Sequence, residues 1–200
     1  MKTSVIFLLL TALAVIIQGS PLFVRREEST AIDARTEAPQ TCGDVSDLTP
    51  LYSVYIAETT AHIYTIYDQN ISAIIEDDDV PSTQFLGVTA LVFSISQPST
   101  LPFVCLRNSA SSAHFCSTNQ TALDAALATG STSYMTAGYV YPEQICGSVP
   151  LYQLQFIATN SDYIYTTSAT ERDDAITTKG FTYEGIAGYV YDLLSCENST

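Results

Sequence analysis

The sequence is poor in basic residues: 7 Lys and Arg stand against 21 Asp and Glu among 200 residues, which gives a formal net charge of −14. Proteins that bind nucleic acid or an anionic membrane surface need clustered Lys and Arg to displace counterions. The composition therefore excludes both as default partners. It predicts instead a strongly acidic surface, which favours solubility.

Long apolar runs are also scarce. The one long run, residues 5–17, contains a single polar residue, Thr11; it follows Lys2 and precedes two small residues. This order of charged, apolar and cleavage regions is typical of a secretory signal peptide, and the run is too short to cross a bilayer of about 30 Å. We therefore predict a signal peptide over residues 1–19, secretion into the extracellular space, and no membrane contact after cleavage.

The segment after this run has almost no large apolar residue. Residues 27–40 carry Ser, Thr, Ala, Asp and Glu, a composition that cannot bury enough apolar surface to fold. The dibasic pair Arg25-Arg26 precedes them and resembles a processing site, with an ordinary charged linker as the alternative. Cleavage there would leave 4 basic against 21 acidic residues, hence a formal charge of −17. We expect residues 20–41 to be a pro-segment or disordered leader.

Three similar stretches recur at intervals of about fifty residues, a period typical of repeat architectures. Their prolines are Pro50, Pro102 and Pro150, which stand 52 and 48 residues apart. Each is followed by a second matching stretch, namely Ala61-His62-Ile63-Tyr64-Thr65, Ala113-His114-Phe115-Cys116-Ser117 and Asp162-Tyr163-Ile164-Tyr165-Thr166. We therefore predict one domain over residues 42–200, with a first, second and third unit at about residues 49–97, 98–147 and 148–194.

The third unit shows the pattern of secondary structure most clearly. Residues 151–156 and 163–166 are rich in aromatic and apolar residues and predict a hairpin. Thr167 or Ser168 then caps a helix over residues 169–178, and a glycine-containing strand closes the unit. One unit cannot bury both faces of its hairpin, whereas three can. The predicted fold is α+β and β-dominated, with three tandem strand-strand-helix-strand repeats around a pseudo-threefold axis.

Five cysteines in a secreted chain argue for disulfide bonds, and the odd number leaves one thiol over. Cys105 and Cys116 flank a Ser-rich turn sequence, so a hairpin would place them opposite each other. Cys42 lies just before the first unit and Cys196 just after the third, and these ends meet in a closed ring. Cys146 competes for the same partner, so the connectivity of these three stays open.

Three sequences fit the N-glycosylation pattern, which indicates surface exposure if they are used. We expect glycosylation at Asn70 and Asn119, which precede or open the predicted helices of the first two units. Asn198 also fits but lies close to the end of the chain. Chance matches in a chain rich in Ser and Thr are the alternative.

The third unit also carries a family resemblance. It reads Val149-Pro150-Leu151-Tyr152, Tyr165-Thr166-Thr167-Ser168, Thr170-Glu171-Arg172-Asp173 and Tyr183-Glu184-Gly185-Ile186-Ala187-Gly188-Tyr189-Val190. These stretches resemble a repeat domain of unknown function, common in secreted fungal proteins and on bacterial surface enzymes, whose usual unit reads PLYRLY, DHFYTTS, ERD and YEGIAGYV. The resemblance covers residues 42–196 and implies a noncatalytic module, often appended to enzymes that act on cell walls or peptides.

Candidate metal and catalytic groups are few, since the chain has only 2 histidines. His62, His114 and Tyr163 stand at equivalent positions, so the Asp-His pair of the family is split between units. A metal site at the axis would need three converging ligands, and no Gly-x-Ser-x-Gly elbow accompanies a possible triad. The acidic run at residues 76–79 lacks the ligand spacing of an EF-hand. We expect no metal, cofactor or catalytic activity, and histidines that are hydrogen-bonded to neighbouring backbone.

Tyrosine is abundant, with 13 residues and no Trp. Sugars bind with an apolar ring face on an aromatic side chain while carboxylates and amides take the hydroxyls. The third unit best keeps such groups, and we predict its ligand-binding residues to be Asp162, Tyr165, Arg172, Asp173, Tyr183 and Glu184. Core positions in strands are the alternative for any single tyrosine.

We therefore expect an extracellular binding module whose partner is a glycan or a cell-surface protein. The alternative is a small secreted effector or structural surface protein that acts through protein contacts. Glycan binding predicts aromatic pockets that are repeated between units, whereas protein contacts predict one unrepeated apolar patch.

Overall fold

The computed structural model describes residues 41–77, 82–157 and 161–193. The predicted signal peptide, the leader up to residue 40, the Arg25-Arg26 site, Cys196 and Asn198 lie outside the described residues. Among the helices of the described part, none combines the length and apolar character needed to cross a membrane.

The described chain is dominated by strands, with three α-helices among them, so the predicted β-dominated α+β class is confirmed. A short 3-10 helix over Val45–Asp47 precedes the first strand. The elements then follow in the order β1 (Leu48–Ile56), β2 (Ala61–Thr65), α1 (Asp68–Ile75), β3 (Thr83–Phe93), β4 (Leu101–Asn108), β5 (His114–Ser117), α2 (Gln120–Ala128), β6 (Ser131–Val140), β7 (Val149–Phe156), β8 (Asp162–Thr166), α3 (Ala169–Thr178) and β9 (Thr182–Val190).

The same antiparallel pairing occurs within each predicted unit. Its first strand lies in the middle and pairs with the other two, which gives the orders β2-β1-β3, β5-β4-β6 and β8-β7-β9. In each hairpin, the residue five positions after the proline faces the predicted equivalent residue of the second strand. The pairs are Tyr55 with His62, Arg107 with His114 and Gln155 with Tyr163. The three therefore occupy the same register position in their hairpins.

The closing strands of the units pair end to end. Phe93 of β3 pairs with Tyr139 of β6, Tyr141 after β6 pairs with Tyr189 of β9, and Tyr191 after β9 pairs with Leu91 of β3. These three short contacts form a cycle. They also gather the rings of Phe93, Tyr141 and Tyr191, whose centroids lie 5.6, 6.0 and 6.3 Å apart at steep interplanar angles. Such edge-to-face geometry is favourable for aromatic rings.

The segment before β1 lies against this aromatic cluster. The backbone N–H of Gly43 donates to the hydroxyl of Tyr141 over 2.8 Å. A Cβ atom at Gly43 would lie only 2.6 Å from the ring of Phe93, so the close approach requires glycine. The disulfide between Cys42 and Cys146 holds the same segment to the loop after β6.

The two bridges settle most of the cysteine connectivity. The predicted Cys105–Cys116 bond is confirmed, and it joins directly opposed residues of β4 and β5. Of the pairings that the sequence leaves open for Cys42, the structure has the bond to Cys146 and not the one to Cys196. The leading segment crosses the aromatic cluster and so reaches the loop between the second and third units.

The main core takes residues from all three units. Its members occupy matching positions in the three units. Leu51, Phe103 and Leu151 follow the prolines, Tyr64, Cys116 and Tyr165 lie in the second strands, and Val92, Val140 and Val190 lie in the closing strands. The hydroxyl of Tyr64 accepts from the backbone N–H of Tyr165 over 2.9 Å. The hydroxyl of Tyr165 in turn accepts from the N–H of Cys116 and donates to its carbonyl, both over 2.7 Å. Burial raises the pKa of Tyr165, so the hydroxyl keeps its proton and can donate.

Replacing Tyr165 with Phe should lower the free energy of unfolding by about 2 kcal/mol, because the buried N–H and carbonyl of Cys116 lose their partner. Urea unfolding of Tyr165→Phe against the wild type measures this loss. Tyr163→Phe is the matched control, since that half-buried hydroxyl accepts from the Gln155 side chain and its removal should cost less than about 1 kcal/mol. Equal losses in the two variants would contradict the assigned role of Tyr165.

Candidate functional site

The six residues predicted to bind ligand do not converge in the structure. Asp162 and Tyr165 are buried, with relative exposures of 3% and 2%. Arg172 and Tyr183 form a stack on the sheet of the third unit, with Asp173 beside it. Glu184 lines a groove that none of the other five lines. The structure therefore does not gather the six residues into one site, although Asp162 and Tyr165 each line a cavity beside His62.

Arg172 is placed to cover the sheet. Its guanidinium carbon lies 4.5 Å from the ring centroid of Tyr152 and 5.7 Å from that of Tyr183, and Nη2 contacts Asp173 Oδ1 over 2.7 Å. Ile71 and Leu123 stand at the same position in the other helices, four residues after the N-cap, and both are buried. Arg172 thus substitutes for an aliphatic packing residue by stacking, as arginine does on aromatic faces.

Asp162 binds the histidine of another unit. Its Oδ2 lies 2.7 Å from His62 Nδ1, and its Oδ1 accepts from the backbone N–H of His62 over 2.9 Å and of Tyr163 over 2.8 Å. An Asp and a His that stand 100 positions apart in the chain are thereby paired between the third and first units. The expectation that His62 bonds to neighbouring backbone through its ring is wrong, because the ring bonds to this carboxylate.

His114 holds the same register position without such a partner. Its Nδ1 is buried and has no hydrogen-bond partner, and its ring contacts Tyr134 with centroids 5.0 Å apart. Burial, and secondarily the charge of Arg107, lowers the pKa of His114 to about 4. The side chain is therefore neutral in the folded protein at neutral pH.

A groove runs beside the His62–Asp162 pair, between the sheet of the first unit and the corner formed by β8 and α3. It consists of adjoining cavities of about 450 and 270 Å³ that share His62, Leu86, Ile164 and Glu171. We call it the first groove. The larger cavity is lined by the aromatic side chains Tyr55, Phe156 and Phe181 and by the polar side chains Thr60 and Lys179. The smaller cavity is lined by the polar side chains Thr167 and Ser168.

The polar corner of the first groove is held in place by hydrogen bonds. Ser168 caps α3 by accepting from the Glu171 N–H over 3.2 Å. The Glu171 carboxylate accepts from the hydroxyl of Thr166 over 2.6 Å. Lys179 contacts the carboxylate of Asp174 over 3.3 Å. The helix end and its carboxylate therefore face the groove in a fixed position, as preorganised binding requires.

Sequence reasoning missed most residues of the first groove. Tyr55 and Thr60 belong to the first unit, whereas Phe156 and Phe181 belong to the third, so no local pattern joins them. The one available signal was the split Asp-His pair, because a carboxylate in one unit and a histidine in another point to a contact between units.

A metal centre finds no support in the described part of the chain: no three side chains of His, Cys, Asp or Glu come together there as possible ligands. Residues 76 and 77 of the acidic run lie after α1, and residues 78–79 are outside the described ranges.

A family model described as "Domain of unknown function (DUF5648)" matches residues 50–191 of the chain. No curated protein and no solved structure matches the chain.

Proposed function

The chain belongs to the family of this domain of unknown function, and from that premise we propose that it is a secreted, noncatalytic binding module whose ligand is an extracellular glycan. The first groove supports this proposal. Ring faces such as that of Tyr55 suit the apolar face of a sugar, while hydroxyl, carboxylate and ammonium groups of Thr60, Glu171 and Lys179 suit its hydroxyls.

The charge of the groove favours a neutral sugar over a phosphate or sulfate ester. Within the described residues, Arg107, Arg172 and Lys179 are the basic side chains, and the last two contact Asp173 and Asp174. Anionic ligands are held by unpaired, clustered cations in forked or multiple contacts. Glu171 in the same groove would oppose them.

Two further features of the chain agree with an extracellular site of action. Its described part carries two disulfides, and disulfides form and persist in oxidising compartments such as the secretory pathway. The apolar run at residues 5–17 supplies the signal for entry, and we propose N-glycosylation at Asn70 and Asn119. Asn70 lies inside α1, whereas Asn119 caps α2.

We also propose that the three units are arranged around a pseudo-threefold axis. The cyclic pairing of Phe93 with Tyr139, Tyr141 with Tyr189, and Tyr191 with Leu91 supports this. Grooves then arise wherever the sheet of one unit meets the second strand and helix of its neighbour. Binding sites between units, rather than within one, follow from this arrangement.

Tyr55→Ala should weaken binding of the best oligosaccharide by about 10- to 100-fold, since an aromatic contact at the centre of a site contributes about 1 to 3 kcal/mol. The protein secreted by a yeast host is first probed on a glycan array, and the best neutral oligosaccharide is then titrated by calorimetry.

Tyr183→Ala is the matched control, because Tyr183 lies in the Arg172 stack and does not line the groove. Its affinity should equal that of the wild type. A protein that retains no glycan on the array would overturn the proposed function in favour of an effector acting through protein contacts. Loss of binding in Tyr183→Ala alone would return the site to the surface of the third unit.

A further inference from the structure

A second groove of about 450 Å³ lies where the sheet of the third unit meets β5 and α2 of the second. Its positions match those of the first groove. Gln153 and Gln155 stand three and five residues after Pro150, as Ser53 and Tyr55 do after Pro50, and Tyr163 faces Gln155 as His62 faces Tyr55. Asn119 caps α2 as Ser168 caps α3. The two grooves therefore lie at equivalent junctions between units and are lined by different side chains.

The exchanged side chains keep the chemistry of the first groove. At one pair of matching positions the first groove has Glu171 on the helix and Leu86 on the sheet. The second groove has Glu184 on the sheet and Ala122 on the helix at these positions. The strand registers place Glu184 at the position of Leu86, and the helix caps place Ala122 at that of Glu171. At this pair of positions each groove thus presents one carboxylate, supplied from opposite walls. Asp162 and Asp192 also line the first groove.

Aromatic rings and amides complete the second groove. Phe115 and Tyr163 lie side by side with ring centroids 5.2 Å apart. The Gln155 amide donates to the Tyr163 hydroxyl over 2.8 Å. Burial, and secondarily the Glu184 carboxylate, raises the pKa of Tyr163. Two rings beside two amides and a carboxylate are the groups that recognise sugar rings and their hydroxyls.

Asn119 lies at the rim of this groove and is exposed. It opens the acceptor sequence Asn119-Gln120-Thr121. Its Oδ1 accepts from the Ala122 N–H over 3.2 Å, while a glycan is attached through Nδ2. A glycan can therefore be carried here without loss of the helix cap, and it would stand at the mouth of the groove at high effective concentration.

We propose that the second groove binds the same class of ligand as the first and that an N-glycan on Asn119 closes it. This inference rests on the proposed function. It makes the unglycosylated protein bivalent, whereas the glycosylated protein has one open site.

The experiment counts binding sites by calorimetry with the neutral oligosaccharide selected on the array. Protein from a yeast host, with occupancy of Asn119 measured by mass spectrometry, should bind one molecule. Thr121→Ala destroys the acceptor sequence and keeps Asn119 as the cap, and it should bind two. Adding Glu184→Gln should weaken the second site at least tenfold and leave one, and adding Tyr55→Ala instead should remove the first.

Each outcome decides a separate point. One site in Thr121→Ala that is insensitive to Glu184→Gln overturns the second site and leaves the proposed function standing. No binding in any variant overturns the proposed function itself. Two open sites in protein glycosylated at Asn119, or an unmodified Asn119 in the secreted protein, overturns the closing of the groove by a glycan.

Discussion

Replacing both Cys42 and Cys146 with serine is expected to lower the free energy of unfolding by about 4 kcal/mol. The bond closes a loop of 104 positions, and the loop-closure entropy of about 100 residues amounts to roughly 4 to 5 kcal/mol. The Cys105–Cys116 bond lies inside this loop and shortens it by 11 positions. Because the dependence on length is logarithmic, the shortening changes the value little.

Urea unfolding of Cys42→Ser/Cys146→Ser against the oxidised wild type measures the effect. Both cysteines are replaced so that neither can pair with Cys196. Tyr141→Phe is the control that keeps the cross-link and removes the hydrogen bond from Gly43, and it should cost only about 1 kcal/mol. A loss below about 1 kcal/mol in the double variant would show that the bond does not restrain the unfolded chain as expected.

The contrast between local and long-range contacts explains how far the sequence predicted the fold. Local signals were sufficient for the third unit: Ser168 caps α3, and the helix spans Ala169–Thr178. Cys105 and Cys116 were paired correctly because a hairpin turn lies between them. The partner of Cys42 depends on where the leading segment crosses the aromatic cluster, and no local pattern encodes that path.

The candidate site was less predictable because it forms between units. The sequence predicts Asp162 and Tyr165 as ligand-binding residues, yet they bond to His62 and Cys116, which are residues of other units. The sequence did hold one usable sign at Arg172. Alignment of the helix caps gives Arg172 the same position in its helix as Ile71 and Leu123 have in theirs, and a position that is aliphatic in two units is a packing position.

His114 gives the protein a loss of stability in acid that can be assigned to one side chain. The pKa of His114 is about 4 in the folded protein, and about 6.5 in an unfolded chain. Above pH 6.5 both states hold a neutral ring, so His114 has no effect on the pH dependence. As the pH falls from 6.5 to 4, the unfolded state takes up a proton that the folded state excludes, and stability is lost. The loss between pH 7.5 and 4.5 is about 2 to 3 kcal/mol.

The missing partner explains why His114 differs from His62. Asp162 of the third unit supports His62 of the first. In the proposed cyclic arrangement the corresponding acid for His114 of the second unit would come from position 61 of the first, and this residue is Ala61. A buried imidazole without a carboxylate is stable only when neutral.

His114→Phe should therefore be at least as stable as the wild type at pH 7.5 and more stable by about 2 to 3 kcal/mol at pH 4.5. Urea unfolding at both pH values gives the difference, and other carboxylates cancel because they are common to both proteins. His62→Phe is the matched control: it leaves the buried Asp162 carboxylate without its ring partner, so it should destabilise already at pH 7.5. An equal stability difference between His114→Phe and the wild type at the two pH values would mean that His114 accepts a proton in the folded state.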